Sequence, residues 1–386
     1  MTYKELSEVR QTLRVDWYRC PTRPGLLREL SRRSDAQGWF LAGGHLALVI
    51  VTGALVFHFW SQELWLAFLV ALFFHGTVTA FVRGNSTHEL GHGTVFKTKR
   101  LNKFFLYLFS LIGWWDPFDY ASSHTYHHRY TLHPEGDREV LLPVEPTLAS
   151  TFMLQLFTVN LLTQPGRIFG KGGFISTVIL TVMAAFGRDP AAEKAPANEW
   201  IRALHRDQPL EHRNAMLWSR ILLLFHGSVL AVAIATGLWV LPLILTTAAF
   251  TANWLQYLVN LPQHCGLRDD TPDFRKSVRS MKLNPIFSFL YWRMEWHIEH
   301  HMFAGVPCYN LAKLHREVAD DMPAPRTLIG AWKEMREVWR RQKIDPAYQF
   351  DTPLPATAKH AREDSPDDRL EGSIGELAPA GLQERA

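Results

Sequence analysis

Cysteine is scarce in this chain: 386 residues hold three, Cys20, Cys265 and Cys308. They form no CxxC pair and no even set, which excludes a disulfide framework and leaves reduced packing thiols as the expectation. Charge of one sign is lacking too. Lys and Arg number 41 against 37 Asp and Glu, a net charge of +4, so there is no basic excess of the kind that nucleic-acid binding needs. The stretch from Met1 to Arg19 is polar and charged; without an apolar core it is not expected to be a signal peptide.

What the chain does have is apolar length. Hydrophobic residues make up 47%, with 24 Phe and 14 Trp, yet mean hydropathy is only −0.08. That combination fits a few membrane spans joined to a large polar part. The runs 39–60 and 64–82 are each near the roughly 20 residues that cross a bilayer as a helix. Ser61, Gln62 and Glu63 between them allow only a tight hairpin. A second hairpin is expected over 216–235 and 238–261, turning at Thr236 and Gly237. Arg28, Arg32 and Arg33 precede the first hairpin, Arg202, Arg206 and Arg213 precede the second, and Arg268 follows it. Neither turn carries a positive charge, so the positive-inside rule puts the flanks in the cytosol.

The apolar stretches 104–115, 152–162 and 174–186 are too short to span and read as interfacial or re-entrant. The expected fold class is therefore an all-α integral membrane protein: four transmembrane helices in two hairpins with a cytosolic helical cap holding a di-metal site. Residues 1–38 form a cytosolic N-terminal segment and 39–345 the membrane domain, with the cap drawn from 83–215 and 262–345. Residues 187–198 read as a surface loop, and 346–386 as a disordered tail with little to bury.

Nine of the 18 histidines fall into four short clusters. They are His88 and His92 in HELGH, His124, His127 and His128 in HTYHH, His264 in NLPQH, and His297, His300 and His301 in HIEHH. A structural zinc takes four protein ligands and a catalytic zinc usually three, so nine imidazoles point to more than one ion. Imidazole suits iron, copper, zinc and nickel alike and does not name the metal. Residues three and four apart share a helix face, so each cluster is able to converge. The adjacent pairs His127/His128 and His300/His301 diverge by about 100°, which lets one of each pair serve a second ion. Asn260, four residues before His264, is placed to hold a water. His45, His58, His75 and His226 stand alone in apolar runs and read as packed, hydrogen-bonded residues.

HELGH also matches the H-E-x-x-H signature of zinc metalloproteases, in which Glu89 would be the general base. That reading needs another ligand from a distant acid and leaves both HxxHH triplets idle. Otherwise Glu89 accepts a hydrogen bond from a ligand imidazole. Glu295, Glu299, Asp116 and Asp137 are further candidates for that service, or are solvated and capping carboxylates.

Taken together, HELGH, HTYHH and HIEHH resemble the three histidine boxes of the membrane fatty acid desaturase family, which includes related hydroxylases. NLPQH resembles the family's extra ligand segment, and the resemblance covers roughly 39–314. It implies two irons held almost wholly by histidine: His88, His92, His124, His127, His128, His264, His297, His300 and His301 as ligands, and Asn260 reaching one iron through water. Three residues separate His88 from His92, not the four of the acyl-CoA Δ9 branch, and box three begins with His297, not the Gln of front-end desaturases. HPEG at 133–136 lacks one of the two glycines of the HPGG haem signature, and no GxGxxG follows a strand. The implied electron donor, of ferredoxin or cytochrome b5 type, and its reductase are thus separate proteins. The substrate branch stays open.

The expected function is an O2-dependent di-iron desaturase acting on a fatty acyl or lipid chain. A hydroxylase of the same superfamily, acting on a lipid or small metabolite, is the near alternative, and a membrane zinc metalloprotease the distant one. Taking hydrogen from an unactivated alkyl chain needs a strong oxidant, which redox-inert zinc does not provide. Two irons, O2 and external electrons do, with the histidines holding the metal while the metal does the chemistry. Trp114, Trp115, Tyr120, Tyr291, Trp292 and Trp296 are candidates for an apolar substrate wall or for an interfacial aromatic belt. Arg129, Arg138, Arg279, Lys282 and Arg293 read as ordinary positive-inside residues, or as contacts for an anionic head group or an acidic donor.

Overall fold

The computed structural model describes residues 3–162, 172–190 and 196–359. Helices dominate; the strands among these residues are Met281–Lys282 and Arg326–Thr327, paired in parallel. The first hairpin forms where the sequence places it. Asp35–Ser61 and Trp65–Gly91 are both long and apolar enough to cross a membrane, and they pack side by side. Ile50, Val51, Leu66, Leu69 and Phe74 are exposed on their outer faces, an arrangement that suits lipid and not water.

The second of these helices breaks just before HELGH. Arg83 has ψ 115° and Gly84 has φ 88° with ψ −60°, a conformation open to glycine because it has no Cβ. The chain then turns helical again over Thr87–Gly91. The break lets the HELGH turn take a direction independent of the helix that delivers it.

Pro209–Thr236 is the third helix long and apolar enough to span. It starts ahead of Met216 because Pro209 is pre-set for a first turn, and it stops at Gly237, with φ 75°. The run 238–261, expected as a fourth continuous span, is not one helix. It is divided into Pro242–Thr246, Ala248–Phe250 and Trp254–Asn260. The cause lies in its backbone bonds. Asn160 N–H donates to the Phe250 carbonyl and Ala252 N–H to the Thr158 carbonyl, around a bridge between Val159 and Thr251. Peptide groups bonded sideways no longer bond along a helix, and Ala252 turns left-handed at φ 46°.

Of the shorter apolar stretches, Lys99–Ile112 buries Phe105, Leu106, Phe109 and Ile112 and exposes Phe104. Phe174–Ala185 packs along Pro209–Thr236. Three of the lone histidines are buried and bonded to carbonyls, as packed residues should be. His45 Nε2 meets Val78 O at 2.9 Å, His75 Nε2 meets Ile244 O at 2.9 Å, and His226 Nε2 meets Leu111 O at 3.0 Å. All three cysteines are buried, and none is in a disulfide.

Two boundaries differ from expectation. Within 187–198, residues 191–195 lie outside the described residues, and Pro196 already opens the helix Pro196–Asp207. Residues 350–359, expected in the tail, are bonded to the rest of the protein. Phe350 N–H donates to Gly266 O, Lys276 Nζ to Thr352 O at 2.7 Å and Arg275 to Lys359 O at 2.9 Å. Lys276 and Arg275 thus take up the Thr352 and Lys359 carbonyls. Residues 360–386 lie outside the described residues.

Candidate metal centre

The four histidine clusters meet in the interior. HTYHH lies on the helix Pro117–Tyr130, whose start is fixed twice: Pro117 occupies the first turn, and Asp116 Oδ1 accepts from Phe118 N at 2.9 Å and Asp119 N at 3.1 Å. HIEHH forms the short helix His297–Met302. His264 follows the turn Leu261–Gln263 that ends the broken run.

These elements sort the nine imidazoles into two groups. His88, His92, His124, His128 and His300 form one; His127, His264, His297 and His301 form the other, and within each group the nearest ring nitrogens lie within 4.8 Å of one another. Helix pitch explains the division. His124 and His128, four apart, face one group while His127 turns to the other; His297 and His301 pair in the same way and leave His300 to the first.

The protons on these rings can be assigned from their partners. His88 Nδ1 faces Glu89 Oε1 at 3.0 Å, His127 Nδ1 faces Asp137 Oδ2 at 2.9 Å, and His124 Nδ1 faces Glu139 Oε1 at 3.3 Å. His264 Nδ1 faces the Ser277 carbonyl at 3.1 Å. Thr131 spends its one hydroxyl proton on His127 O at 2.6 Å, so it accepts from His301 Nδ1 at 3.1 Å. Each of these five rings donates outward from Nδ1 and turns the Nε2 lone pair inward.

The inward nitrogens crowd. Nε2 atoms approach at 3.2 Å between His92 and His124, 2.9 Å between His124 and His128, and 3.2 Å between His128 and His300. In the second group His297 Nε2 lies 3.2 Å from both His264 and His301 Nε2. His88 Nε2 is buried with no hydrogen-bond partner. Lone pairs facing each other repel unless a cation sits among them. An ion about 2.1 Å from each nitrogen sets neighbouring ligand nitrogens roughly 3.0–3.4 Å apart, which matches these separations. The donor set fits a pair of metal ions.

Protonation points the same way. Burial holds His92 and His264 down to about 3 and His124, His128, His297, His300 and His301 well below the usual imidazole range. These rings are neutral, the form that ligates metal. Burial acts on His127 and Asp137 as well, but their mutual attraction outweighs it, leaving His127 above and Asp137 below its ordinary value. A carboxylate behind the ring makes His127 a strong ligand.

The sequence expectations fare unevenly around this core. Asp137 and Glu89 do accept from imidazoles of the two groups. Glu299 instead accepts from Ser280 Oγ at 2.7 Å and pairs with His315, Glu295 meets Ser288 Oγ, and Asp116 caps a helix. Asn260 Oδ1 accepts from Asn85 Nδ2 at 2.8 Å. Tyr120 stacks on His124 at 4.9 Å and lines the cleft beside it. Trp114, Tyr291 and Trp292 are interior residues that donate to Thr246 O, Val259 O and His45 Nδ1. Arg138 and Arg279 are buried and paired with Glu199 and Glu334. Glu139, Thr131 and the Ser277 carbonyl were not anticipated. Only the closeness of Glu139 to Asp137 in GDRE hinted at any of them.

A further cluster, Asp189, His205 and His212, is of another kind. Both His205 nitrogens face carboxylates, Nδ1 at 2.6 Å from Asp189 and Nε2 at 3.0 Å from Asp119, so it is an ion triad that ties the 187–190 segment to the HTYHH helix.

Beside the centre an open cleft reaches His88, His92 and His124, walled in part by Leu106 and Phe118. A comparable cleft lined by Trp114, Thr177 and Ser219 touches none of the nine histidines. No curated protein matches the chain. A family model described as fatty acid desaturase matches residues 63–331, a stretch that contains both histidine groups and most of the chain. The protein belongs to the fatty acid desaturase family, a family of oxidoreductases comprising desaturases and related hydroxylases.

Proposed function

We propose that this protein is an O2-dependent di-iron desaturase that introduces a carbon–carbon double bond into the alkyl chain of a lipid. The observation that carries the reading is the division of nine buried imidazoles into groups of five and four, with the Nδ1 protons of five of them held outward. His88, His92, His124, His128 and His300 would hold one iron and His127, His264, His297 and His301 the other, with Asn260 reaching one of them through water. When bound, the irons supply the redox capacity to activate O2, using electrons from a separate donor of ferredoxin or cytochrome b5 type and its reductase. The protein's own residues orient and shield. Glu89, Asp137, Glu139 and Thr131 fix ring tautomers and tilt, and burial keeps bulk water from the reacting chain.

The apolar helices support a membrane protein, and the arginines flanking the hairpins support a site on the cytosolic face. The same site would serve a hydroxylase, and analysis of the product separates the two. A zinc protease is disfavoured because Glu89, its required base, is bonded to a ligand ring, and because His88 and His92 share their group with three further histidines. The test is metal content of the purified full chain by elemental mass spectrometry after anaerobic ferrous reconstitution. About two irons per chain is the expected result; a single zinc with no iron taken up overturns the reading.

A further inference from the structure

The cleft at the centre contains one group that neither the metals nor the fold employs. Glu211 lies in the first turn of Pro209–Thr236. Its side chain lines the same cleft as His88, His92, His124, Leu106 and Phe118, yet the residue is only 4% exposed. Asn214, one turn on, donates to Oε2 at 3.3 Å. Oε1 is buried and has no hydrogen-bond partner among the described residues.

A first-turn glutamate complements the helix dipole equally well from an exposed position. Burying a carboxyl with one oxygen unsatisfied costs free energy and does nothing more for the helix. The unsatisfied acceptor lies on an open cleft that it shares with His88, His92 and His124, and whose wall includes Leu106, Pro117 and Phe118.

Building on the nine-histidine group as the reaction centre, we infer that Glu211 is a specificity-determining residue. It accepts a hydrogen bond from a hydroxyl or amine carried by the substrate, and so fixes which carbons of the chain lie beside the metals. The substrate class is an alkyl chain bearing a hydrogen-bond donor, such as a long-chain alcohol or amine, not a plain acyl carboxylate. An anionic group would meet the Glu211 carboxylate with like charge, whereas a donor satisfies Oε1. One fixed polar contact and one apolar wall give a flexible chain a single register, which is what regioselective attack requires.

The experiment measures binding of radiolabelled dodecanol, dodecylamine, methyl dodecanoate and dodecanoate to the full metal-loaded chain in detergent, with metals per chain counted on the same sample. Wild-type protein is expected to bind dodecanol or dodecylamine roughly tenfold or more tighter than methyl dodecanoate, the size of effect a hydrogen bond to a buried charge carries. Glu211→Leu should erase that preference. Glu211→Gln, which keeps a neutral acceptor, should retain it for dodecanol and lose it for dodecylamine, which separates the two donors.

Equal binding of all four probes by wild-type protein, tighter binding of the ester or carboxylate, or an unchanged preference in the Leu variant each overturns the inference. The wild-type comparison stands even if the Leu variant fails to fold. Two metals without donor preference defeats the Glu211 inference alone. Donor preference without metals leaves Glu211 as a lipid contact and defeats the desaturase reading.

Discussion

Replacing Asp137 by Asn tests the centre where its support is most concentrated. Asp137 is fully buried. Its Oδ2 accepts from His127 Nδ1 and from Leu132 N, each at 2.9 Å, and its Oδ1 accepts from Glu139 N at 2.9 Å. Asparagine has one acceptor oxygen, so whichever way its amide lies, an N–H on one side faces an NH2. Loss of a charge-assisted bond at such a site costs about 1.5–3 kcal/mol, and loss of a carboxylate behind a ligand imidazole weakens metal binding about 10–100-fold, or roughly 1.4–2.7 kcal/mol. His127 belongs to the four-histidine group, so the loss should fall on one ion of the two. A chelator titration followed by elemental mass spectrometry, with circular dichroism to confirm the fold, reads this directly. One metal should leave the variant at a chelator concentration about 10–100-fold below wild type while the second stays. Release curves that superimpose on wild type, or loss of both ions together from folded protein, would refute the reasoning.

Other perturbations follow from the same geometry. His300→Ala and His301→Ala remove ligands from different groups, so each should abolish oxidation and lower metal content, whereas Glu89→Gln should keep both metals and part of the activity; a dead but fully metal-loaded Glu89→Gln enzyme would return Glu89 to a direct chemical role. A Cβ at Gly76 would stand 2.3 Å from the Thr251 carbonyl oxygen. Gly76→Ala should therefore destabilise by about 1–3 kcal/mol through overpacking, against the gain of about 1 kcal/mol usual in a helix, and a raised unfolding midpoint in detergent would contradict the packing. For His205, burial lowers the pKa but Asp119 and Asp189 outweigh it and the net shift is upward from 6.5. The stabilisation is then complete below pH 6.5 and fades as pH rises through the raised value. The gap in unfolding midpoint between wild type and His205→Gln should narrow as pH rises above 6.5, and a gap independent of pH would remove the ion triad.

The clustering histidines were legible because a short helix repeats at three and four residues, and that repeat survives any change in tertiary packing. Their partners were not. His124 and Glu139 are fifteen residues apart and His264 leans on a main-chain carbonyl, relationships that leave no periodic trace. Hydrophobic length located the first hairpin and the helix at 209–236, since long apolar helices are decided by composition. It did not foresee the break in 238–261, because the bonds that cause it come from Thr158 and Asn160, residues that no local pattern links to Phe250 and Ala252. Carboxylates were the least readable group: Asp137, Asp116 and Glu299 look alike in sequence, yet one backs a ligand, one caps a helix and one pairs with His315.

The alternation of neighbouring imidazoles between the two groups bears on how such a chain can change over time. Each HxxHH helix works like a two-sided key, with one edge cut for each lock. Inserting or deleting one residue between His124 and His127 would turn the later teeth by about 100° and present them to the wrong lock. Gradual tolerance of length variation is therefore closed to these short segments, and they can diverge only by substitution. The connections between them carry no such gearing. Loops may lengthen, and the broken run that delivers His264 may be rebuilt, provided that each key arrives with its cut intact.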